Sequence, residues 1–286
     1  MTMDGPSTDE PAPARTRERR TIRLLVLLGL AFVAPAGAQL VDCPGIRNNP
    51  STFKIIFDDP SFARPGLEAD SDLQTLKARL LFTVDGQLQS LAAELREAAQ
   101  PAAQLVRVPC PGRHPRGESD FDLDRSQDLT ASKVVLEVWA TLDGRAQGNN
   151  LQDREARIGY ALPPLRFYER GAPGLPGFYQ LRYPRPGADL SGILTGLPEI
   201  SAYATLGLGL KAAKAQDYDL AVQYLKKAEA LLAAAGSSPD PDAANRRALV
   251  DYAKRKSCET VRAALADPGY AGGLKIAYAG ARRPCP

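Results

Sequence analysis

Leu73, Leu76, Leu80, Val84, Leu88, Leu91 and Leu95 recur at intervals of three and four along the chain. That spacing places them on one stripe of an amphipathic helix over roughly 71–99. Ser71 stands where an N-cap belongs. Gly86 interrupts the run, costs about 1 kcal/mol against alanine, and leaves room for a kink or two abutting helices. A stripe of this width is core packing against a sheet. β-type runs flank it at 54–57, 105–108, 133–141 and 155–162. The last of these alternates polar and apolar residues, the pattern of a half-buried strand. Residues 143–153 between the final two runs read as a hairpin loop longer than a tight turn.

From Pro163-Pro164 to Pro186-Gly187 the chain is rich in Pro and Gly, a composition that does not sustain a helix and reads as a linker. Phe178–Tyr183 can still add an edge strand. Pro198 then sits at a first helical position, and Ile200, Tyr203, Leu206 and Leu210 mark one helical face. A second amphipathic helix follows the turn at Gln216-Asp217-Tyr218-Asp219, and a third covers 242–265. The fold class expected is α+β: an α/β domain over 39–170, a linker over 171–197, and a three-helix module over 198–286.

Within that module, residues 204–232 resemble one tetratricopeptide (TPR) unit. Leu208-Gly209 match its large–small pair, Tyr218 its turn, and Ala221, Tyr224 and Ala228 its small–aromatic–small positions. Thr205, Ala212 and Ala233 depart from the pattern. The resemblance implies antiparallel helices packed closely at the small residues. It also implies a partner-facing inner helix, which makes Tyr203 and Lys211 candidate contacts. A lone repeat needs neighbours to bury its apolar face. The element order of the first domain, with the strand entry Ala131-Ser132-Lys133-Val134-Val135, resembles small α/β envelope domains. Examples are the TolB N-terminal domain and the outer-membrane lipoprotein activators of penicillin-binding proteins.

The start of the chain adds a compartment. Arginines at 15, 17, 19 and 20, an apolar run at 24–33 and Ala36-Gly37-Ala38 together have the form of a signal peptide over 1–38. The run is short against the roughly 20 residues a membrane span needs, so no integral span is expected after cleavage. All four cysteines, Cys43, Cys110, Cys258 and Cys285, lie beyond that site, which implies two disulfides in an exported chain. Of the three possible pairings, Cys43–Cys110 with Cys258–Cys285 closes each loop within one expected domain. No C-x-x-C is present. Lys and Arg number 36 against 33 acidic residues, and without a clustered basic face nucleic acid is not an expected partner.

Candidate chemistry is sparse. His114 is the single histidine, which excludes multi-His zinc sites, and no G-x-S-x-G elbow presents a serine. Gly207-x-Gly209-x-x-Ala212 mimics a dinucleotide fingerprint but falls inside a helix rather than on a strand-to-helix turn. Asp120, Asp122 and Asp124 alternate as calcium ligands do, yet Arg125 and Ala131 occupy the EF-hand glycine and glutamate positions. An extended segment with Phe121 and Leu123 docked inward is the plainer reading. Asp58-Asp59 and Glu94 with Glu97 are paired carboxylates lacking an evident cleft. The sequence therefore points to no catalytic, cofactor or metal residues. Its functional expectation is a periplasmic or secreted, non-enzymatic adaptor that contacts another envelope protein. The alternatives are an envelope enzyme using loop carboxylates, or a module binding a small ligand or peptidoglycan.

Overall fold

The apolar run at 53–57 becomes β1 (Phe53–Phe57), in which Ile55, Ile56 and Phe57 are buried on both faces, as a strand between parallel neighbours must be. The structure is a computed structural model that describes residues 46, 52–97, 105–108, 123–147, 150–169, 178–183, 198–234, 243–280 and 285. β1 pairs in parallel with β3 (Leu105–Val108) on one side and β4 (Val134–Gln147) on the other. β2 (Ser61–Phe62) adds a short parallel pairing to β4. The sheet continues antiparallel through β5 (Asn150–Ala161) to β6 (Phe178–Tyr183), in the order β3-β1-β4-β5-β6. The protein is α+β.

α1 (Ser71–Glu97) lies in the β1–β3 connection and α2 (Leu123–Ala131) in the β3–β4 connection. The two connections run in opposite directions along the sheet, and crossovers of one hand that reverse direction put their helices on opposite faces. The cores agree. Leu73, Leu80 and Leu91 of α1 are buried with Ile55, Phe57 and Leu136, whereas Leu129 of α2 is buried with Ile56, Val134 and Trp139. The leucine stripe is therefore core packing against the sheet, and truncating Leu73 or Leu80 to alanine costs about 2–5 kcal/mol. α1 runs unbroken through Gly86. Its cap is Asp70 rather than Ser71: Asp70 Oδ1 accepts from the backbone N–H of Asp72 and Leu73 at 3.0 and 2.8 Å.

Local structure departs from expectation in three further places. The loop expected over 143–153 is mostly strand, because β4 and β5 stay paired out to Gln147 and Asn150. The polar segment before β4 ends in a helix, and Asp124 sits in its first turn. Pro163-Pro164 open a short helix, α3 (Pro163–Tyr168); prolines at the first two positions forfeit only N–H groups that a helix start leaves unbonded anyway.

The remaining helices are α4 (Pro198–Lys214), α5 (Tyr218–Ala234), α6 (Ala243–Ala266) and the short α7 (Gly273–Ala277). Residues 202–210 of α4 are all buried. One side of α4 lies on the sheet, where Tyr203 meets Tyr160 of β5 edge-on at 5.2 Å. The other lies on α5, where a Cβ on Gly209 would stand 2.9 Å from Leu225 Cγ. Thr205 satisfies its buried hydroxyl on the Ser201 carbonyl at 2.6 Å. The expected division at 171–197 thus separates no cores. Residues 41–286 form one compact unit, and α4 residues share a single core with β1, β4, β5 and α1.

Among the described residues no helix is long and apolar enough to cross a membrane. The expected signal peptide, Cys43, Cys110, His114, Asp120 and Asp122 lie outside the described residues.

Candidate functional site

The expected partner contacts do not form a surface. Tyr203 is 4% exposed on the sheet-facing side of α4, so it is a core residue and not a docking residue. Lys211, half-buried, turns its ammonium to the Thr130 carbonyl. The repeat-packing residues Leu208, Gly209, Tyr218, Ala221, Tyr224 and Ala228 are all buried. Burial and the nearby Asp217 push the Tyr224 phenol up to about 12, so it stays protonated.

The loop carboxylates are also engaged. Asp59 follows β1 at the point where the chain reverses its direction of winding, a place where open α/β sheets form crevices. There Arg107 of β3 binds Asp85 of α1 through two contacts of 2.9 and 3.0 Å, reaches Asp59 at 3.2 Å, and donates to the Phe57 carbonyl. One guanidinium ties β1, β3 and α1 together. Glu94 pairs with Lys227 of α5. Among the described residues no group of three His, Cys, Asp or Glu is placed to hold a metal ion.

A concave surface is found instead along α6. Asp267-Pro268-Gly269 ends that helix in a turn, with Asp267 Oδ1 accepting from Gly269 N–H at 2.8 Å. The chain then folds back. Tyr270 stacks edge-on against Tyr218 at 5.3 Å, and its hydroxyl donates to Asp219 at 2.7 Å. Asp219 also accepts from Leu274 N–H at 3.1 Å, and Leu274 buries itself with Tyr218, Val222 and Val261. Burial and the neighbouring carboxylates raise the Tyr218 and Tyr270 phenols above their ordinary value, which keeps both as donors. A disulfide between Cys258 of α6 and Cys285 of the tail completes the return, with the two Cα atoms 5.7 Å apart.

This clasp walls a groove of about 570 Å³ between α5, α6 and the tail. Both signs of charge line it: Lys254, Arg255 and Arg262 beside Asp251 and Glu259, with Tyr278 at the tail side. On another face of the same stretch of α6, Lys256 sits between Glu169 at 2.7 Å and Glu259 at 3.4 Å. Burial opposes its charge, but the two carboxylates prevail and hold the ammonium above its ordinary value.

No protein-family model matches the chain, and no curated protein matches it.

The groove residues were open to sequence reasoning only as a solvated helix face. Asp251, Lys254, Arg255, Cys258, Glu259 and Arg262 recur at spacings of three and four, which groups them on one side of α6. The opposite wall includes a tail joined to α6 across a sequence separation of 27, and no local pattern announces it.

Proposed function

We propose that the protein is an exported, non-enzymatic adaptor of the cell envelope that holds a segment of a partner protein in the groove between α5, α6 and the disulfide-anchored tail. The observation that carries this reading is the groove itself. It is concave, it is lined by charges of both signs with a tyrosine at its edge, and one wall is fixed covalently at Cys258–Cys285. Charges of both signs suit a polypeptide of alternating charge, and rim charges of this kind govern register and association rate more than total affinity. The disulfide supports an oxidising, periplasmic or secreted location. A wall pinned to α6 costs less ordering on binding than a free tail would.

The test is site-specific photo-crosslinking in the native compartment from positions 255 and 278 of the groove lining, with position 82 on the outer face of α1 as control. The expected result is a discrete crosslinked partner from the groove positions, lost in Lys254→Glu with Arg262→Glu. Loss of phenotype from Asp58→Asn with the groove double variant fully active would sink the adaptor reading and favour an enzyme using loop carboxylates.

A further inference from the structure

α5 and α6 lie antiparallel, since Tyr218 and Val222 near the start of one pack with Val261 and Ala264 near the end of the other. The groove along α6, about 570 Å³ in volume, therefore has two different ends. Toward the start of α6 it carries Glu229 and Asp251; from there Lys254 and Arg255 lead along the helix to Arg262.

These cations are not spent inside the fold. Lys254, Arg255 and Arg262 are all exposed, and none makes an ion pair among the described residues. Arg255 lies over the Tyr252 ring at 5.6 Å, a stacking that leaves the N–H edge of the guanidinium free to bind a carboxylate. The acid between them is drawn aside, because Glu259 reaches Lys256 on the neighbouring face at 3.4 Å. The stretch from 254 to 262 thus has a cation at each end and no uncommitted carboxylate between.

Its middle is apolar. The Cys258–Cys285 disulfide crosses it, the buried Val261 floors it, and Tyr278 faces it from the tail. At 1.5 Å per residue, Lys254 and Arg255 stand about 10–12 Å along α6 from Arg262, with Cys258 about midway. An extended chain rises about 3.3 Å per residue and returns to the same face at every second one. Residues i and i+4 are then about 13 Å apart on one face, with i+2 between them. The long side chains of lysine and arginine take up the small difference. A whole helix of that length, about 10–12 Å across, sweeps on the order of 1,000 Å³, well beyond the groove's volume.

We infer that the 254–262 stretch of the groove binds an extended segment with carboxylates four residues apart and an apolar side chain midway between them. One carboxylate meets Lys254 and Arg255, the other meets Arg262, and the apolar side chain rests on the disulfide, Val261 and Tyr278. The inference rests on the adaptor reading and specifies the chemistry of the partner along α6; the Glu229 and Asp251 end is left to the segment's other charges.

The experiment is an NMR titration of the full mature chain, disulfide intact, with the capped peptide Gly-Glu-Ser-Phe-Ser-Glu-Gly. Two controls accompany it: the same peptide with Lys for both Glu, and the register-shifted Gly-Glu-Glu-Ser-Phe-Ser-Gly. Saturable shifts at residues 255, 258, 262 and 278 are expected with the first peptide, weaker binding with the shifted one, and none with the Lys peptide. Arg262→Gln, an exposed substitution, weakens the first peptide by about two- to fivefold, as loss of one exposed charge pair does. No saturable shift up to about 10 mM, equal binding of the Lys peptide, or indifference to register overturns the inference. The adaptor reading is judged separately, by the crosslinks from positions 255 and 278. A crosslinked partner whose mapped segment lacks the acid pair overturns this inference and leaves the adaptor standing. Peptide binding as expected with no crosslinked partner overturns the adaptor reading alone.

Discussion

Gly207 of α4 passes so close to Val135 of β4 that a Cβ at that position would stand 2.6 Å from the Val135 carbonyl oxygen. The neighbour is backbone in the middle of a sheet and cannot yield. Gly207→Ala is expected to destabilise the fold by about 1–3 kcal/mol, the usual range for overpacking. Gly209→Ala meets Leu225 at 2.9 Å from Cγ and 3.2 Å from the backbone nitrogen, a less severe approach than that to Val135, so its effect is smaller. Urea midpoints of the two variants check the order; equal midpoints would contradict the close approach of α4 to β4.

Arg125 of α2 and Glu137 of β4 form a buried ion pair with contacts of 2.8 and 3.0 Å. Glu137→Ala leaves a guanidinium charge in the interior and is expected to cost about 3–5 kcal/mol. The double variant Arg125→Met, Glu137→Leu removes both charges and recovers most of that loss. Chemical denaturation of Arg125→Met, Glu137→Leu and the double gives the coupling.

Asp70 caps α1 and holds Arg154 of β5 through contacts of 3.2 and 2.9 Å. The Arg154 hydrogen bonds are the main cause of a carboxyl held below its ordinary value of 3.8. The folded chain therefore binds this proton less readily than the unfolded one. Its contribution is complete above about pH 3.8 and fades as the pH falls through the lower folded value. Arg154→Gln should be less stable than the parent protein at pH 7, with the gap closing in acid. A gap that stays constant between pH 7 and pH 2 would contradict the linkage.

Lys211 behaves in the opposite sense. Burial first, then the facing Lys133 and Lys54, bring its amine down to about 8 in the folded chain against 10.5 ordinarily. Between those values the unfolded chain holds a proton that the folded chain has released, so stability rises with pH across that window. Lys211→Met should lack this rise, as read from unfolding midpoints between pH 7 and 10.

The Cys258–Cys285 bridge spans 27 residues of sequence and is expected to contribute about 2–4 kcal/mol. Reduction, or Cys258→Ser with Cys285→Ser, should lower the unfolding temperature and raise hydrogen exchange in α7 before α1. Loss of groove crosslinking in the same double variant would tie the clasp to partner capture.

The leucines of α1, the runs that became β1, β3, β4 and β5 and the helix start at Pro198 were legible in the chain, because each rests on local periodicity or a local cap. The even count of cysteines implied disulfides but left three pairings open, and the fold brings Cys258 to Cys285. Two local rules misled. Paired prolines at 163–164 pointed to a linker, because prolines suit a helix start and a loop alike, and the packing of Leu165 into the core decides between them. Ser71 stood nearer the leucine stripe, but Asp70 has the carboxylate that also reaches Arg154.

By itself the sequence determined the longer helices, the cores of the main strands and which of their faces must be buried, because those properties come from side-chain spacing along one element. It did not determine that α4 would be covered on both sides, which turned Tyr203 from a candidate contact into core. Nor did it place Lys54, Lys133 and Lys211 together or bring the tail back onto α6. Those arrangements depend on contacts between residues about 80 and about 30 positions apart. Only the sheet order and the packing of α4 between β4 and α5 decide which distant side chains meet.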